Sequence, residues 1–336
     1  MRAWQIVGDG GVDGLHLAEV DTPDPGPGEV RVAMRANSIN YRDLTTIEDP
    51  VSRGLPYPTV PNSDGAGDVV AVGPGVTEVK VGDRVTSCFF ADWEAGECSP
   101  EAMASALGGA QQGVLAEEVV LPARGVIPIP GDLSYAEAAC LPCAALTAWH
   151  ALSQPRPVVA GETVVLLGTG GVSVIAQQFC KAMGARTIVT SSSDAKLDRM
   201  RALGASETVN YRTTPDWEAE VLRLTDGRGA DRIVEVGGPG TLQKSIDAVR
   251  VSGTIGLIGI LTGMQAQIAP TALMRKSITL RGIYVGPRAM FAEMNKAIAH
   301  HDLRPVIDQT FAFEDARDAY HAMRAAGHFG KLVITV

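Results

Sequence analysis

Through the middle of the chain, short apolar runs alternate with longer segments whose apolar residues recur at helical spacing. Val164-Val165-Leu166-Leu167 has the pattern of a buried strand; it runs into Gly168-Thr169-Gly170-Gly171, and a helical run follows over 174–183. After Gly184-Ala185 the pattern predicts a strand over 186–191, then a polar helix over 194–203 ended by Gly204. Further strands are expected over 206–211, 231–236 and 254–260, with helices at 217–224 and 242–249 between them. Strand and helix alternate at the spacing of βαβ units, which predicts a doubly wound, mostly parallel sheet of the Rossmann kind.

Both ends of the chain read differently. Residues 1–7 look like a strand, and short strands over 29–35, 67–72, 84–87 and 116–120 are separated by turns such as Pro23-Asp24-Pro25-Gly26-Pro27-Gly28. This texture predicts a small, mainly antiparallel β domain. The tail predicts a helix over 290–300, a short strand near Phe311, a helix over 313–326 and a strand over 331–336. It breaks the alternation and is expected to fold back onto the N-terminal domain. The expected α/β organisation is a mainly β domain from 1–125 and 286–336, and a dinucleotide-binding domain over 126–285. A cleft between the two is where cofactor and substrate are expected to meet.

Chemistry is expected first at the glycine turn, Gly168, Thr169, Gly170, Gly171 and Val172. Glycines let the backbone approach a pyrophosphate, and the amides and dipole at the start of the following helix stabilise its charge. The third glycine of the usual G-x-G-x-x-G pattern is here Ser173. Its hydroxymethyl implies either wider helix–strand packing or a hydroxyl bonded back to the helix backbone. The second strand ends in Thr190-Ser191-Ser192-Ser193, with no acid before Asp194 to accept ribose hydroxyls. Ser191, Ser192 and Lys196 suit a 2′-phosphate, so NADPH is expected over NADH, the alternative being serines that only cap a helix.

Composition narrows the remaining classes. The 336 residues are 46% hydrophobic and 20% charged, enough for two domains with separate cores. A net charge of −9 leaves no basic footprint, so neither nucleic acid nor a membrane is expected as partner. No apolar run reaches spanning length, and the start lacks the apolar core of a signal peptide. Cys88, Cys98, Cys140, Cys143 and Cys180 follow no secreted framework, so reduced thiols and a cytoplasmic location are expected. The histidines show no H-x-x-x-H or H-E-x-x-H spacing, which indicates neither a metal cluster nor a triad.

Several motifs stand in an order that resembles one family. They are Pro27-Gly28-Glu29-Val30, Asn37-Ser38-Ile39-Asn40-Tyr41-Arg42-Asp43, Asp64-Gly65-Ala66-Gly67-Asp68-Val69-Val70-Ala71-Val72-Gly73 and Val81-Gly82-Asp83-Arg84-Val85. Leu141-Pro142-Cys143-Ala144-Ala145-Leu146-Thr147-Ala148-Trp149, Leu203-Gly204-Ala205 and Gly330-Lys331-Leu332-Val333-Ile334 continue the order. End to end, the chain resembles the medium-chain dehydrogenase/reductase superfamily, and within it the zinc-free quinone oxidoreductase and enoyl reductase branch. The resemblance implies a GroES-like, mainly β catalytic domain beside the Rossmann domain, and a homodimer.

The positions that hold catalytic zinc in alcohol dehydrogenases of this superfamily correspond by resemblance to Asn40, Ser63 and Cys143. An amide and a hydroxyl are poor replacements for thiolate and imidazole, so no metal is expected. The four closely spaced cysteines of a structural zinc lobe are also missing; residues 86–113 hold only Cys88 and Cys98. Without a Lewis acid, the expected chemistry is hydride delivery to a quinone or an α,β-unsaturated carbonyl, with hydrogen-bond donors stabilising the negative oxygen. Asn40, Tyr41 and Arg42 are the candidate catalytic residues, the alternative for Tyr41 and Arg42 being packing and an ion pair with Asp43. The branch often has a tyrosine five residues after the asparagine, where this chain has Thr45, so that tyrosine's role is not carried over.

For the cofactor, the resemblance puts Thr147 against the nicotinamide and Ser191, Ser192, Lys196 and Tyr211 around the adenosine phosphate. Val236, Ile258, Gly259, Ile260, Ile283, Tyr284, Val285 and Lys331 would line the rest. The favoured function is therefore an NADP(H)-dependent reductase acting on a small carbonyl or quinone. A zinc-free alcohol or aldehyde dehydrogenase and a non-catalytic NADPH-binding protein are the alternatives.

Overall fold

The computed structural model describes residues 1–265 and 267–336 and divides into two compact units. Met1–Leu146 and Val285–Val336 form the first, and Thr147–Tyr284 form the second.

The first unit opens with β1 (Arg2–Ile6) and β2 (Leu15–Glu19), an antiparallel pair. The long β3 (Glu29–Ser38) follows, with alternate residues Val30, Val32 and Met34 turned into a core that also holds Val69, Val85 and Leu121. Next come α1 (Tyr41–Glu48), β4 (Asp64–Val72), β5 (Arg84–Ser87), the short α2 (Pro100–Met103), β6 (Glu118–Pro122), β7 (Val126–Pro128) and α3 (Tyr135–Ala139). The sequence pattern does not announce α1. Its eight residues leave too few positions for a helical period, and it is held by burying Leu44 and Ile47 against Tyr320, Leu332 and Ile334.

After a π-helical turn at Leu141–Ala145 and α4 (Leu146–Ser153), the second unit runs as β8 (Thr163–Leu167), α5 (Gly171–Ala182), β9 (Arg186–Ser191), α6 (Asp194–Ala202) and β10 (Glu207–Asn210). It continues through α7 (Trp217–Leu224), β11 (Ala230–Glu235), α8 (Pro239–Ala248), β12 (Val249–Leu257), α9 (Pro270–Arg275) and β13 (Thr279–Gly282). All pairings are parallel, in the order β10-β9-β8-β11-β12-β13. That order reverses direction between β8 and β11, the switch point at which open α/β sheets bind ligands beyond their strand ends. Inside this unit the carboxylate of Asp231 accepts from Arg228, Arg250 and the Thr163 amide. Burial pushes its pKa up, but these three donors outweigh burial and hold it at about 2.

The tail, α10 (Arg288–His301), β14 (Ile307–Ala312), α11 (Ala316–Ala325) and β15 (Lys331–Thr335), returns to the first unit as expected. β15 lies antiparallel to β3, with Val333 opposite Ser38, and β14 extends the sheet on the other side of β15. The expected boundary at 126 is corrected. Residues 126–146 belong to the first unit because β7 pairs with β5, with Thr86 opposite Ile127, and because Val126 joins the same core as Val85. The strand expected over 254–260 begins earlier, at Val249, and ends at Leu257.

Candidate functional site

In the second unit, β8 is central and all five of its residues are buried, which fixes where its last carbonyl and the following turn lie. Gly168 turns the chain at φ 75°. A Cβ at Gly168 or Gly170 would meet no atom within 4 Å, so the backbone here faces open space. α5 starts at Gly171 with no side chain capping it, so its first amides are available to an anion. This arrangement fits a pyrophosphate. Ser173 sends its buried hydroxyl to Leu167 O at 2.5 Å, so the acceptor is the last carbonyl of the strand and not the helix backbone.

Ser191 ends β9 and meets Tyr211 just past β10, with Ser192 and Lys196 following Ser191 along the chain. The Tyr211 amide donates to Ser191 O at 3.0 Å, and Ser193 caps α6 by accepting from the Lys196 amide at 3.4 Å. Asp194 accepts from Asn210 Nδ2 at 2.8 Å. Of the remaining expected cofactor residues, Thr147 is buried where the second unit begins, Val236 and Ile258 are partly buried, Ile260 is exposed, Ile283 is buried and Tyr284 is half-exposed. Gly259 is a matter of backbone clearance: a Cβ there would lie 1.6 Å from Val236 O. Val285 sits in the first unit at φ 54°, a strained conformation for a β-branched residue.

Glu235, which sequence reasoning missed, organises this end of the sheet. It is fully buried, and its Oε1 accepts from the Gly237 amide at 2.8 Å, the Gly238 amide at 2.9 Å and Thr241 Oγ1 at 2.6 Å, while Oε2 accepts from Ser245. The sequence signal was an acid directly after Ile233-Val234 and shortly before Gly237-Gly238.

The first unit contains a second polar cluster, built by three strand ends. The β3–β4 register puts Asp64 opposite Ser38, and the β15–β3 register continues with the Ile39 amide donating to Leu332 O at 3.2 Å. Lys331, at the start of β15, is therefore delivered beside Asn40. Its buried ammonium donates to Ile39 O at 2.8 Å and to Asn40 Oδ1 at 2.5 Å. Asn40 precedes α1, and Asp43 accepts from the Asn40 amide at 2.8 Å, a capping contact three residues back. From β4, Asp64 accepts from Ser63 Oγ at 2.6 Å and from the Cys143 amide at 3.0 Å, which anchors the π-helical turn.

Burial governs the electrostatics. It pushes the Asp64 carboxyl up to about 6 against the favourable charge of Lys331, with Asp43 raising it further. Burial likewise raises Asp43, opposed chiefly by Arg42. The Cys143 thiol is raised well above its ordinary range by burial and by the charge of Asp64. Asn40 Nδ2 lies near enough to these carboxylates to favour their ionised forms, yet it is buried and completes no hydrogen bond with acceptable geometry.

Of the three candidate catalytic residues, Asn40 is thus central to the cluster. Tyr41 is exposed at the first position of α1. Arg42 is occupied structurally: its guanidinium pairs with Asp43 at 3.2 Å, donates to Gly108 O at 3.0 Å and to Leu107 O, and lies 4.5 Å from the Phe89 ring centre. That is the packing and ion-pair alternative. Lys331, which the resemblance puts in the cofactor lining, donates to Ile39 O and Asn40 Oδ1. Asp43, expected only as an ion-pair partner of Arg42, also bonds the Asn40 amide, a contact for which the Asn-x-x-Asp spacing was the available signal.

Comparisons with known proteins agree in extent. Residues 26–131 match the alcohol dehydrogenase GroES-like domain family, and residues 171–300 match the zinc-binding dehydrogenase family. A zinc-type alcohol dehydrogenase-like protein of Schizosaccharomyces pombe is 40% identical, covering 97% of this chain and 96% of the relative. A quinone oxidoreductase of Pseudomonas aeruginosa is 30% identical over 98% of both chains. A solved protein of Sinorhizobium meliloti superposes with TM-score 0.92 at 41% identity, covering 100% of this chain and 98% of the other. An NAD-dependent alcohol dehydrogenase reaches TM-score 0.90 at 34% identity over 100% of both chains. A mycobacterial protein complexed with NADPH reaches 0.84 at 26% identity, again over 100% of both.

The zinc in these family names does not suit the residues present. Zinc needs a set of deprotonated N, S or O ligands. Here the Asn40 oxygen is taken by an ammonium, the Ser63 hydroxyl is donated to Asp64, and burial keeps the Cys143 thiol protonated. A metal ion among them would stand against the charge of Lys331. Among the described residues no group of three or more His, Cys, Asp or Glu side chains could hold a metal ion, and no helix is long and apolar enough to cross a membrane.

Proposed function

The chain belongs to the medium-chain dehydrogenase/reductase superfamily and is an oxidoreductase with a nicotinamide cofactor; from that premise we propose a zinc-independent, NADPH-dependent reductase of quinones or α,β-unsaturated carbonyls. The observation that carries this reading is Asn40. Its Nδ2 is a buried donor that completes no hydrogen bond within the protein, at a position that corresponds by resemblance to a metal ligand of zinc-using alcohol dehydrogenases. Leaving such a donor unmet costs about 1–3 kcal/mol, and an oxygen acceptor on a substrate removes that cost.

The bound nicotinamide supplies a hydride; the residues of this chain supply everything else. The glycine turn and the start of α5 hold the pyrophosphate, and Ser191, Ser192, Lys196 and Tyr211 receive the 2′-phosphate. Reduction of a conjugated system moves negative charge onto its oxygen, and Asn40 Nδ2 donates to that oxygen, so the interaction strengthens as the charge grows. Burial around Asn40 excludes water and raises the value of this bond. Arg42 and Asp43 hold the helix that carries Asn40, and the final proton comes from solvent.

The alternatives are separated by following NADPH consumption with naphthoquinone, cyclohexenone and benzaldehyde. Turnover of the quinone or the enone without turnover of the aldehyde is expected; consumption with the aldehyde alone would overturn the reading. Lys196→Ala is expected to weaken NADPH roughly tenfold or more, the value of one charge-assisted bond, while leaving NADH within about twofold. Equal losses for both cofactors would remove the phosphate assignment.

A further inference from the structure

Every bonding group of Asn40 except one is committed within the first unit. Its amide N–H goes to Asp43, its carbonyl accepts from the Asp43 and Leu44 amides at 2.9 and 3.3 Å, and its Oδ1 accepts from Lys331 at 2.5 Å. An ammonium has no acceptor, so the atom facing it must be the oxygen, and the orientation of the carboxamide is settled by chemistry. Nδ2 is what remains: it completes no hydrogen bond, although the carboxylates of Asp43 and Asp64 lie near enough to be favoured by it. Asn37 and Asn62 also carry unmatched side-chain nitrogens, but both residues are fully enclosed at 0% exposure, whereas Asn40 keeps 8%. Of the three, Asn40 alone keeps any exposed surface.

Lys331 has an unusual placement for a lysine. It is 6% exposed, begins a strand and sends its charge inward to an amide oxygen and a backbone carbonyl. Neither of these hydrogen bonds is to a carboxylate, although Asp43 and Asp64 are near enough to feel its charge. A lysine present only to neutralise those acids would gain more by bonding them directly.

We propose that Lys331 is a positioning residue that acts through Asn40: by holding Oδ1 it presents Nδ2–H to the substrate oxygen and polarises it as a donor. This rests on the reading of Asn40 given above and extends it to a coupled pair. Bonding at the carbonyl end of an amide draws electron density away from its nitrogen and makes the N–H a stronger donor. The positive charge that a metal would bring to a reacting oxygen is here one carboxamide removed. The chemical class served is an oxygen that becomes anionic, as in an enolate, a phenolate or a reduced quinone.

The test uses the full chain with Lys331→Met, Lys331→Arg, Asn40→Ala, Asn40→Asp and the Lys331→Met/Asn40→Ala double variant. Two readouts are taken: turnover of naphthoquinone or cyclohexenone with NADPH, and binding of nitrophenolate in the presence of NADP+, followed by its absorbance. NADPH affinity is expected to stay within about threefold for Asn40→Ala and Asn40→Asp, which reports an intact cofactor unit, and the Lys331 variants are checked for folding by circular dichroism. Lys331→Met and Asn40→Ala are each expected to lose about a hundredfold in kcat with a smaller change in KM, the usual size for one oxyanion donor, and Lys331→Arg to recover part of it. Nitrophenolate affinity should fall at least about tenfold in both single variants. The double variant should be no worse than Asn40→Ala in either readout, because the lysine works through the asparagine.

Losses that multiply in the double variant, or a Lys331→Met protein with kcat and nitrophenolate affinity within threefold of the parent, would overturn the proposal. Should Lys331→Met fail to fold, Asn40→Asp decides: it keeps an oxygen for the ammonium and removes the donor, so retained kcat and phenolate binding would contradict the proposal and their loss supports it. Phenolate binding that depends on both residues, with no turnover of quinone or enone, would sink the reductase reading and leave the pair standing. Turnover indifferent to both residues would do the reverse, and a parent protein that neither turns over nor binds the phenolate would sink both.

Discussion

The glycine cradle of the second unit and the Asn40–Lys331 cluster of the first are made by opposite means. The cradle is backbone: a turn at Gly168, open space at Gly170, the uncapped start of α5 and the near-contact of Gly259 with Val236 O. The cluster is side chains: one ammonium, two buried carboxylates, an amide and a hydroxyl brought together by the ends of β3, β4 and β15. Backbone amides hold a constant ligand group, the pyrophosphate, across a whole class of folds. Side chains can be exchanged while the frame stays, which lets one fold carry different chemistry at the same place.

The sharpest way to break this comparison is to put a side chain where the cradle has none. Gly259→Val would force a Cβ into the space of Val236 O, 1.6 Å away, and it is expected to weaken NADPH binding by more than about a hundredfold or to destabilise the protein by about 4 kcal/mol, the range of severe overpacking. Fluorescence titration with NADPH and urea unfolding together check it. Affinity and stability both close to the parent values would show that the close approach carries no constraint.

A smaller effect compares one buried acid from each unit. Asp64 has its pKa raised to about 6 by burial, so the folded chain holds a proton that the unfolded chain releases in the ordinary carboxylate range. Its contribution to stability is full below that range and is lost as pH rises through about 6, amounting at most to about 3 kcal/mol. Asp231, depressed to about 2 by Arg228, the Thr163 amide and Arg250 against the opposing effect of burial, has the opposite sign: its contribution is present above the ordinary range and is lost as pH falls through about 2. The stability difference between parent and Asp64→Asn should therefore shrink from pH 4 to 7, and that between parent and Asp231→Asn should grow from pH 2 to 4. Differences flat with pH would mean that neither acid is held as its surroundings imply.

Legibility in the sequence followed the same division. Periodicity exposed β8, β9, α6 and α7 almost to the residue, because a central parallel strand is apolar throughout and a Rossmann turn has a fixed local grammar. The nearness of Ser191 and Tyr211 follows from adjacent strands that end together. The Asn40–Lys331 contact joins residues at opposite ends of the chain and depends on the register of β15 with β3, which no local pattern encodes. The burial of Asp43 and Asp64 was hidden for a related reason: an acid in a short segment reads as surface until the fold buries it. The segment 126–146 was misassigned because β7 has three residues and its pairing with β5 lies outside any period.

Metal-free transfer of hydride to a conjugated oxygen substrate is the reaction proposed for this chain. Its most direct test is the rate of NADPH oxidation by naphthoquinone or cyclohexenone after exhaustive chelation and dialysis, with and without added zinc. The account predicts an undiminished rate that zinc leaves unchanged. A rate abolished by chelation and restored by zinc would contradict it.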